Sequence, residues 1–313
     1  MIENLFIFAV SLFLIIKGAT LSTKYSFRIA DSYNVSKYVV GFFVVAVISI
    51  IPETLVSINA ALQNVSAMGL GTLFGSNIAD LTLVFAITVL IAGRSLKVES
   101  KILKENVVYP FILLVPIILG IDGFYSRWEG LALIFAGVIF YALSFKKEQR
   151  VRPVAKQDIE VKTNKKLDFV YLITGLVLLL AGSHFVVVSG IEIATLLNLN
   201  KAAMGMLFIG LGTTIPELFF CISAVKNNHD SLAIGDVLGT VLTDATIVIG
   251  LLALVNPFAF PRKIIYIAGM FMVASAFMLF YLMKTGKNLS RSEAVLLIFF
   301  WVLFVSTELI LNS

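Results

Sequence analysis

Ser49-Ile50-Ile51-Pro52-Glu53 and Thr213-Thr214-Ile215-Pro216-Glu217 each set a proline and a carboxylate in the middle of an apolar run long enough to cross a bilayer. A charged side chain at bilayer depth is costly, and its default reading is an ion or substrate site. The proline adds to this. It has no N–H, so the carbonyl four residues earlier, Ile48 or Gly212, loses its helical partner. At that depth the freed group needs protein, water or a bound cation to satisfy it.

Working outward, the shift of 164 positions that carries Glu53 onto Glu217 carries much else with it. Gly18 falls on Gly182, Asn34 on Asn198, Gly41 on Gly205, Ala60 on Ala224, Asn64 on Asn228, Gly71 on Gly235, Gly75 on Gly239 and Asp80 on Asp244. Generic apolar composition does not align Gly, Pro, Asn and acidic residues in this way. The chain is an internal duplication.

Of 313 residues, 59% are hydrophobic and 14% charged, with a mean hydropathy of +0.99, a balance that belongs to a polytopic membrane protein. The net charge of +5 does not point to nucleic acid, because the basic residues lie in short loops between apolar runs. The single cysteine, Cys221, excludes an internal disulfide and reads as a buried packing residue. The start, Met1-Ile2-Glu3-Asn4 and then Leu5 to Ile16, lacks a basic n-region and reads as a retained first helix.

Runs near the length of a membrane span are expected at 4–21, 38–62, 67–92, 105–122 and 127–145, and again at 168–189, 201–225, 231–255, 263–284 and 293–311. The expectation is an all-α polytopic membrane protein of ten transmembrane helices in two five-helix repeats, 1–145 and 168–313. The charged segment 146–167 is a solvated connector. Placing loops 1–2, 3–4, 5–6, 7–8 and 9–10 on one side collects all of the 24 Lys and Arg except Arg127, Lys201, Arg262 and Lys263. That side is therefore read as cytoplasmic, with both termini outside. Because five is odd, the second repeat enters from the opposite face. Inverted repeats of this kind typify secondary transporters, whose site lies near the midplane on interrupted helices.

Glu53 lies 27 residues before Asp80, and Glu217 lies 27 before Asp244. In a helix hairpin this brings each pair to similar depth, and Gly71, Gly75, Gly235 and Gly239 allow close approach. Four carboxylates, Glu53, Asp80, Glu217 and Asp244, are expected to converge, ringed by Ser49, Ser76, Thr213, Thr240 and bare carbonyls. An oxygen-only, strongly negative set suits hard cations, calcium above magnesium, and the absence of His and Cys from it argues against zinc or copper. Four buried carboxylates must bind cations or take up protons, which favours exchange over a one-way leak.

The two segments, Pro-Glu followed in the first repeat by Gly75-Ser76-Asn77-Ile78-Ala79-Asp80, resemble the alpha-1 (about 38–92) and alpha-2 (about 201–255) motifs of the calcium/cation antiporter superfamily, most closely its prokaryotic sodium/calcium exchangers. The resemblance covers nearly the whole chain. It implies exchange of sodium for calcium by alternating access, with the first and sixth helices sliding past a more rigid core. It also implies that Glu53, Asp80, Glu217 and Asp244 form the central site. Ser49, Ser76, Thr213 and Thr240, with the carbonyls of Ala46 and Gly210, would then line flanking sodium sites. Calcium and sodium are cargo in this reading. No cofactor, nucleic acid or obligate protein partner is implied, and membrane lipid is the surrounding medium.

Four positions depart from the family pattern. Ile48 and Ile50 stand where a glycine and a hydroxyl are usual, Asp80 stands in place of a frequent Asn, and Asp236 replaces the Asn of a Gly-Asn pair. The extra acid Asp80 keeps a calcium/proton exchanger, or a potassium-dependent one, as the nearest alternative. A cation channel is more remote, because the duplication supplies a whole site within one chain. An intramembrane aspartyl protease finds no Gly-x-Gly-Asp stretch, the nearest being Ala233-Ile234-Gly235-Asp236. Asp236 itself reads as a cap or turn residue near a helix end, His184 as a packing residue, and His229 and Asp230 as turn residues.

Overall fold

The computed structural model describes residues 2–33, 35–50, 54, 57–58, 62, 66–98, 108–149, 165–196, 212, 214–286 and 288–312. Glu53, Thr213 and Gly210 lie outside these residues, as do most of the second half of the expected helix 38–62, most of the first half of 201–225 and most of the connector.

The described residues are mostly helical. In chain order, α1 is Ile2–Ser32, α2 is Lys37–Ser49, α3 covers 66–92, α4 is Val108–Leu119 and α5 is Arg127–Gln149. Then come α6 at Lys165–Leu196, α7 at Ile215–Lys226, α8 at Asp230–Val255, α9 over 265–286 and α10 at Arg291–Asn312. Among them, seven are long and apolar enough to cross a membrane and two, α2 and α4, are shorter apolar helices. Two-residue strands sit in the loops: β1 Leu96–Lys97, β2 Phe124–Tyr125, β3 Phe258–Ala259 and β4 Asn288–Leu289.

α3 and α8 are the centre of the molecule. Their most apolar windows are 72% and 83% buried, against 17% for α10 and 28% for α1 and α5. The outer helices turn large apolar side chains such as Phe6, Phe13, Phe135, Leu143, Phe299 and Ile310 outward, as a lipid-facing surface does.

α1 extends to Ser32 and α6 to Leu196, well beyond the expected 4–21 and 168–189. The reason is that Lys17, Lys24 and Arg28 do not end the helix. Lys17 lies over the Phe13 ring and Lys24 over Tyr25, while Arg28 reaches Asp168 of α6 at 3.4 Å. Thirty-one residues at 1.5 Å each make a rod of about 46 Å, longer than the ~30 Å hydrocarbon layer.

The two long helices run antiparallel in close contact. A Cβ on Gly18 would stand 2.5 Å from Leu179 N and 2.7 Å from Gly175 O, and one on Gly182 would stand 2.9 Å from both Ile15 N and Ser11 O. Subtracting 164 from 175 and 179 gives 11 and 15. Each helix therefore offers its partner the same pair of positions, as a two-fold axis requires.

Other local features recur at the same shift. Asp80–Val84 in α3 and Asp244–Val248 in α8 are both π-helical turns, each beginning on its carboxylate. A further π turn, Gly41–Val45, lies within α2. At the start of α5 and of α10, Ser126 with Glu129 and Ser290 with Glu293 form capping boxes, the serine N–H donating to the glutamate at 2.7 Å in both.

The loops gather at two ends. At one end, Lys37 meets His229 Nδ1 at 3.1 Å, Arg94 grips Asp230, and β1 pairs antiparallel with β4. This joins the chain between α1 and α2, α3 and α4, α7 and α8, and α9 and α10. At the other end β2 pairs with β3, joining the α4–α5 and α8–α9 loops.

Candidate cation site

α7 and α8 form a hairpin closed by Asn227, Asn228 and His229, with Asn228 at φ 59. Glu217 stands in the first turn of α7, where Pro216 takes the second helical position without needing an N–H donor. Its side chain is buried, and neither carboxylate oxygen makes a hydrogen bond of normal geometry, although the group interacts with the Ser49 hydroxyl. On α8, Asp244 is fully buried with both oxygens unpartnered. Its counterpart Asp80 on α3 is equally buried, with Oδ1 unpartnered.

These acids belong to one neighbourhood. Asp80 lies within electrostatic reach of Glu217, Asp244 and Asp236. Buried charges need partners, so carboxylate oxygens left open here are oriented for a cation or a proton. As the described side chains stand, no three His, Cys, Asp or Glu residues enclose a metal position.

The expected hydroxyls take their places around this neighbourhood. Ser49 Oγ donates to Ala46 O at 3.0 Å and lies 3.3 Å from Thr240 Oγ1, so α2 of one repeat meets α8 of the other through the hydroxyl pair. Ser76 Oγ donates to Leu73 O at 3.1 Å and is buried in α3. The structure thus brings Ser49, Ala46, Thr240, Glu217, Asp244 and Asp80 toward one interior region. Glu53, Thr213 and Gly210 are outside the described residues.

The contact of α2 with α8 is possible because both present glycine. A Cβ on Gly41 would strike Leu232 O and stand 2.9 Å from Asp236 N, and one on Gly239 would stand 2.6 Å from both Phe42 O and Ala46 Cβ. The order of these contacts shows the two helices running parallel.

Sequence reasoning missed two tyrosines. Tyr141 OH on α5 donates to Gly239 O at 3.0 Å and lies 2.5 Å from Thr243 Oγ1, while Tyr109 OH on α4 donates to Leu238 O at 2.6 Å. They fix α8 immediately before Asp244. Their counterparts in the second repeat are Val305 and Val273, so the duplication carries no signal for them.

Asp236 overturns its expected role. It is neither a cap nor a turn residue but lies inside α8, 1% exposed, with both oxygens unpartnered. His229 does precede α8, stacked on Phe27 at 4.3 Å. Asp230, expected as a turn residue, is the first residue of α8. It accepts two hydrogen bonds from Arg94, at 2.7 and 2.6 Å, and one from Lys97 N at 2.7 Å. Cys221 is buried and free, as its apolar setting implies, and its thiol lies 3.6 Å from Ala233 O.

Comparison with known sequences decides the family. The profile of the family described as sodium/calcium exchanger protein matches residues 3–146 and 167–309. The chain belongs to that family. Relatives of this exchanger-family chain include the sodium/calcium exchanger MaX1 of Methanosarcina acetivorans, 25% identical with 96% of this chain and 97% of that one covered. The inner membrane protein YrbG of Escherichia coli is 27% identical over 240 residues, 72% of each chain. Among solved structures, the sodium-calcium exchanger NCX_Mj soaked with 10 mM Na+ and zero Ca2+ superimposes with a TM-score of 0.84 at 23% identity, covering 97% of this chain and 98% of that one. The chain is therefore a multi-pass membrane protein of a cation-exchanging antiporter family, with the fold of NCX_Mj.

Proposed function

We propose that this chain exchanges calcium for sodium across the cell membrane by alternating access, through one central site to which both repeats contribute. The observation that carries the reading is the equivalence of Asp80 and Asp244: each is buried, each begins a π turn, and both lie in electrostatic reach of Glu217. Glu53 completes the set by the repeat. Ser49, Thr240 and Ser76, with Thr213 and the carbonyls of Ala46 and Gly210, supply neutral oxygens suited to sodium beside it. The exchanger named MaX1 among the relatives supports the same pair of ions.

The architecture proposed with this function is ten spans in two inverted repeats, 1–145 and 168–313, joined by 146–167. Antiparallel α1 and α6 support it, as do the two strand pairs. β1 and β3 occupy corresponding loops of the two repeats but sit at opposite ends, and so do β2 and β4. The end that gathers Lys37, Arg94 and Lys97 is assigned to the cytoplasm, with both termini outside.

Proteoliposomes loaded in turn with sodium, potassium or acid, then diluted into sodium-free neutral buffer containing radioactive calcium, test the coupling. Uptake that requires internal sodium is the expected result. Uptake driven only by acid would assign the protein to calcium/proton exchange, the reading that the extra acid Asp80 favours, and uptake indifferent to every gradient would contradict exchange.

A further inference from the structure

Asp236 is buried and unpartnered, and nothing in the site described above employs it. On α8 it precedes Thr240 by one turn and Asp244 by two, so the three share a helix face. Four residues of rise put it about 6 Å from the Thr240 level, toward the α7–α8 turn. It is within electrostatic reach of Glu217 and Asp80, and the Cys221 thiol, one turn beyond Glu217 on α7, feels the same charge. Across from it lies the π turn of α2, whose Gly41 lets the two backbones touch at Asp236 N. Such turns cluster at functional positions.

We propose that Asp236 holds an alkali cation in a further site between α2, α7 and α8, one helical turn from the central site on the side of the α7–α8 turn. The charge count selects the ion. Glu217 and Asp80, though within its reach, are counted with the central site, so Asp236 alone balances an ion held here; one carboxylate is matched by a single positive charge, and a divalent ion would leave a buried excess. A site so placed is a station between the central carboxylates and the end of the molecule that carries Arg94 and Lys97. This inference rests on the exchange reading for its role in transport, but the ion itself does not depend on that reading.

The test counts ions. Full-length protein in detergent is dialysed to equilibrium against radioactive sodium, and separately rubidium as a potassium tracer, in calcium-free buffer. The wild type is expected to bind one more alkali cation per chain than Asp236→Asn, while Asp236→Glu, which keeps the charge, retains it. The two tracers tell sodium from potassium. Equal binding by folded wild type and Asp236→Asn overturns the site. Crystals of the wild type soaked in thallium give an answer that needs no variant: an anomalous peak at the Asp236 carboxylate is expected, and its absence overturns the proposal. Calcium uptake by the wild type, read separately, reports on exchange alone, so failure of one reading is distinguishable from failure of the other.

Discussion

Glu217→Gln keeps the shape of the side chain and removes its charge. Taking one member from a buried charge set costs ~3–5 kcal/mol, which is about 100-fold or more in binding. Sodium-driven calcium uptake should fall by at least that factor while the variant still elutes as a monodisperse folded protein; near-normal uptake would remove Glu217 from the site. Ser49→Ala takes away only the hydroxyl 3.3 Å from Thr240, and the expected effect is a several-fold rise in the sodium concentration for half-maximal exchange. At this scale the sequence was partly legible. The acids and hydroxyls announced themselves because polar residues inside apolar runs are rare and because each recurs at the same shift. Asp236 was misread because it lies close to the turn residues Asn227, Asn228 and His229. Its burial comes from α2 and α7 packing over it, which no local pattern encodes. Tyr109 and Tyr141 were invisible for a related reason: they act from other helices on backbone carbonyls.

At the scale of elements, the glycines of α1 and α6 make a specific demand. Gly18→Leu or Gly182→Leu places side-chain atoms where backbone of the opposite helix already stands, so α1 and α6 must part. Each should lower the thermal midpoint in detergent by several degrees and cut transport, and retention of both properties would contradict the close packing. His229 makes a pH-dependent demand at the head of α8. Burial and the adjacent Lys37 lower its pKa from 6.5 to about 4. Between those values the unfolded chain binds a proton that the folded chain refuses, so stability is expected to rise with pH from about 4 to about 6.5. Unfolding midpoints of wild type and His229→Gln, measured across that window, should show this dependence weakened in the variant. Helix existence was readable from apolar length alone. Helix ends were not, because Lys17 and Lys24 find aromatic faces and Arg28 finds Asp168. The paired π turns at Asp80 and Asp244 had no sequence signal beyond the duplication itself.

At the scale of the whole molecule, the proposal of a single site shared by two copies of one motif predicts that neither copy works alone. Among the described residues, the long outer pair α1 and α6 meets the remaining helices at points such as Phe27 of α1, stacked on His229 at one end, whereas α3 and α8 carry the most buried windows of the molecule. This division suits a moving pair beside a fixed core. The repeat of 164 residues was legible because polar landmarks survive in both halves; the joining of loops through β1 with β4 and β2 with β3 was not, since two-residue strands leave no periodicity. The most direct test of a shared site is sodium-driven calcium uptake into proteoliposomes by wild type, Asp80→Ala and Asp244→Ala, each checked for correct folding. Strong loss in either single variant, with the double variant no worse than the more damaged single one, is the predicted result. Half the wild-type rate in each single variant, with complete loss only in the double, would mean two independent sites and would contradict the account.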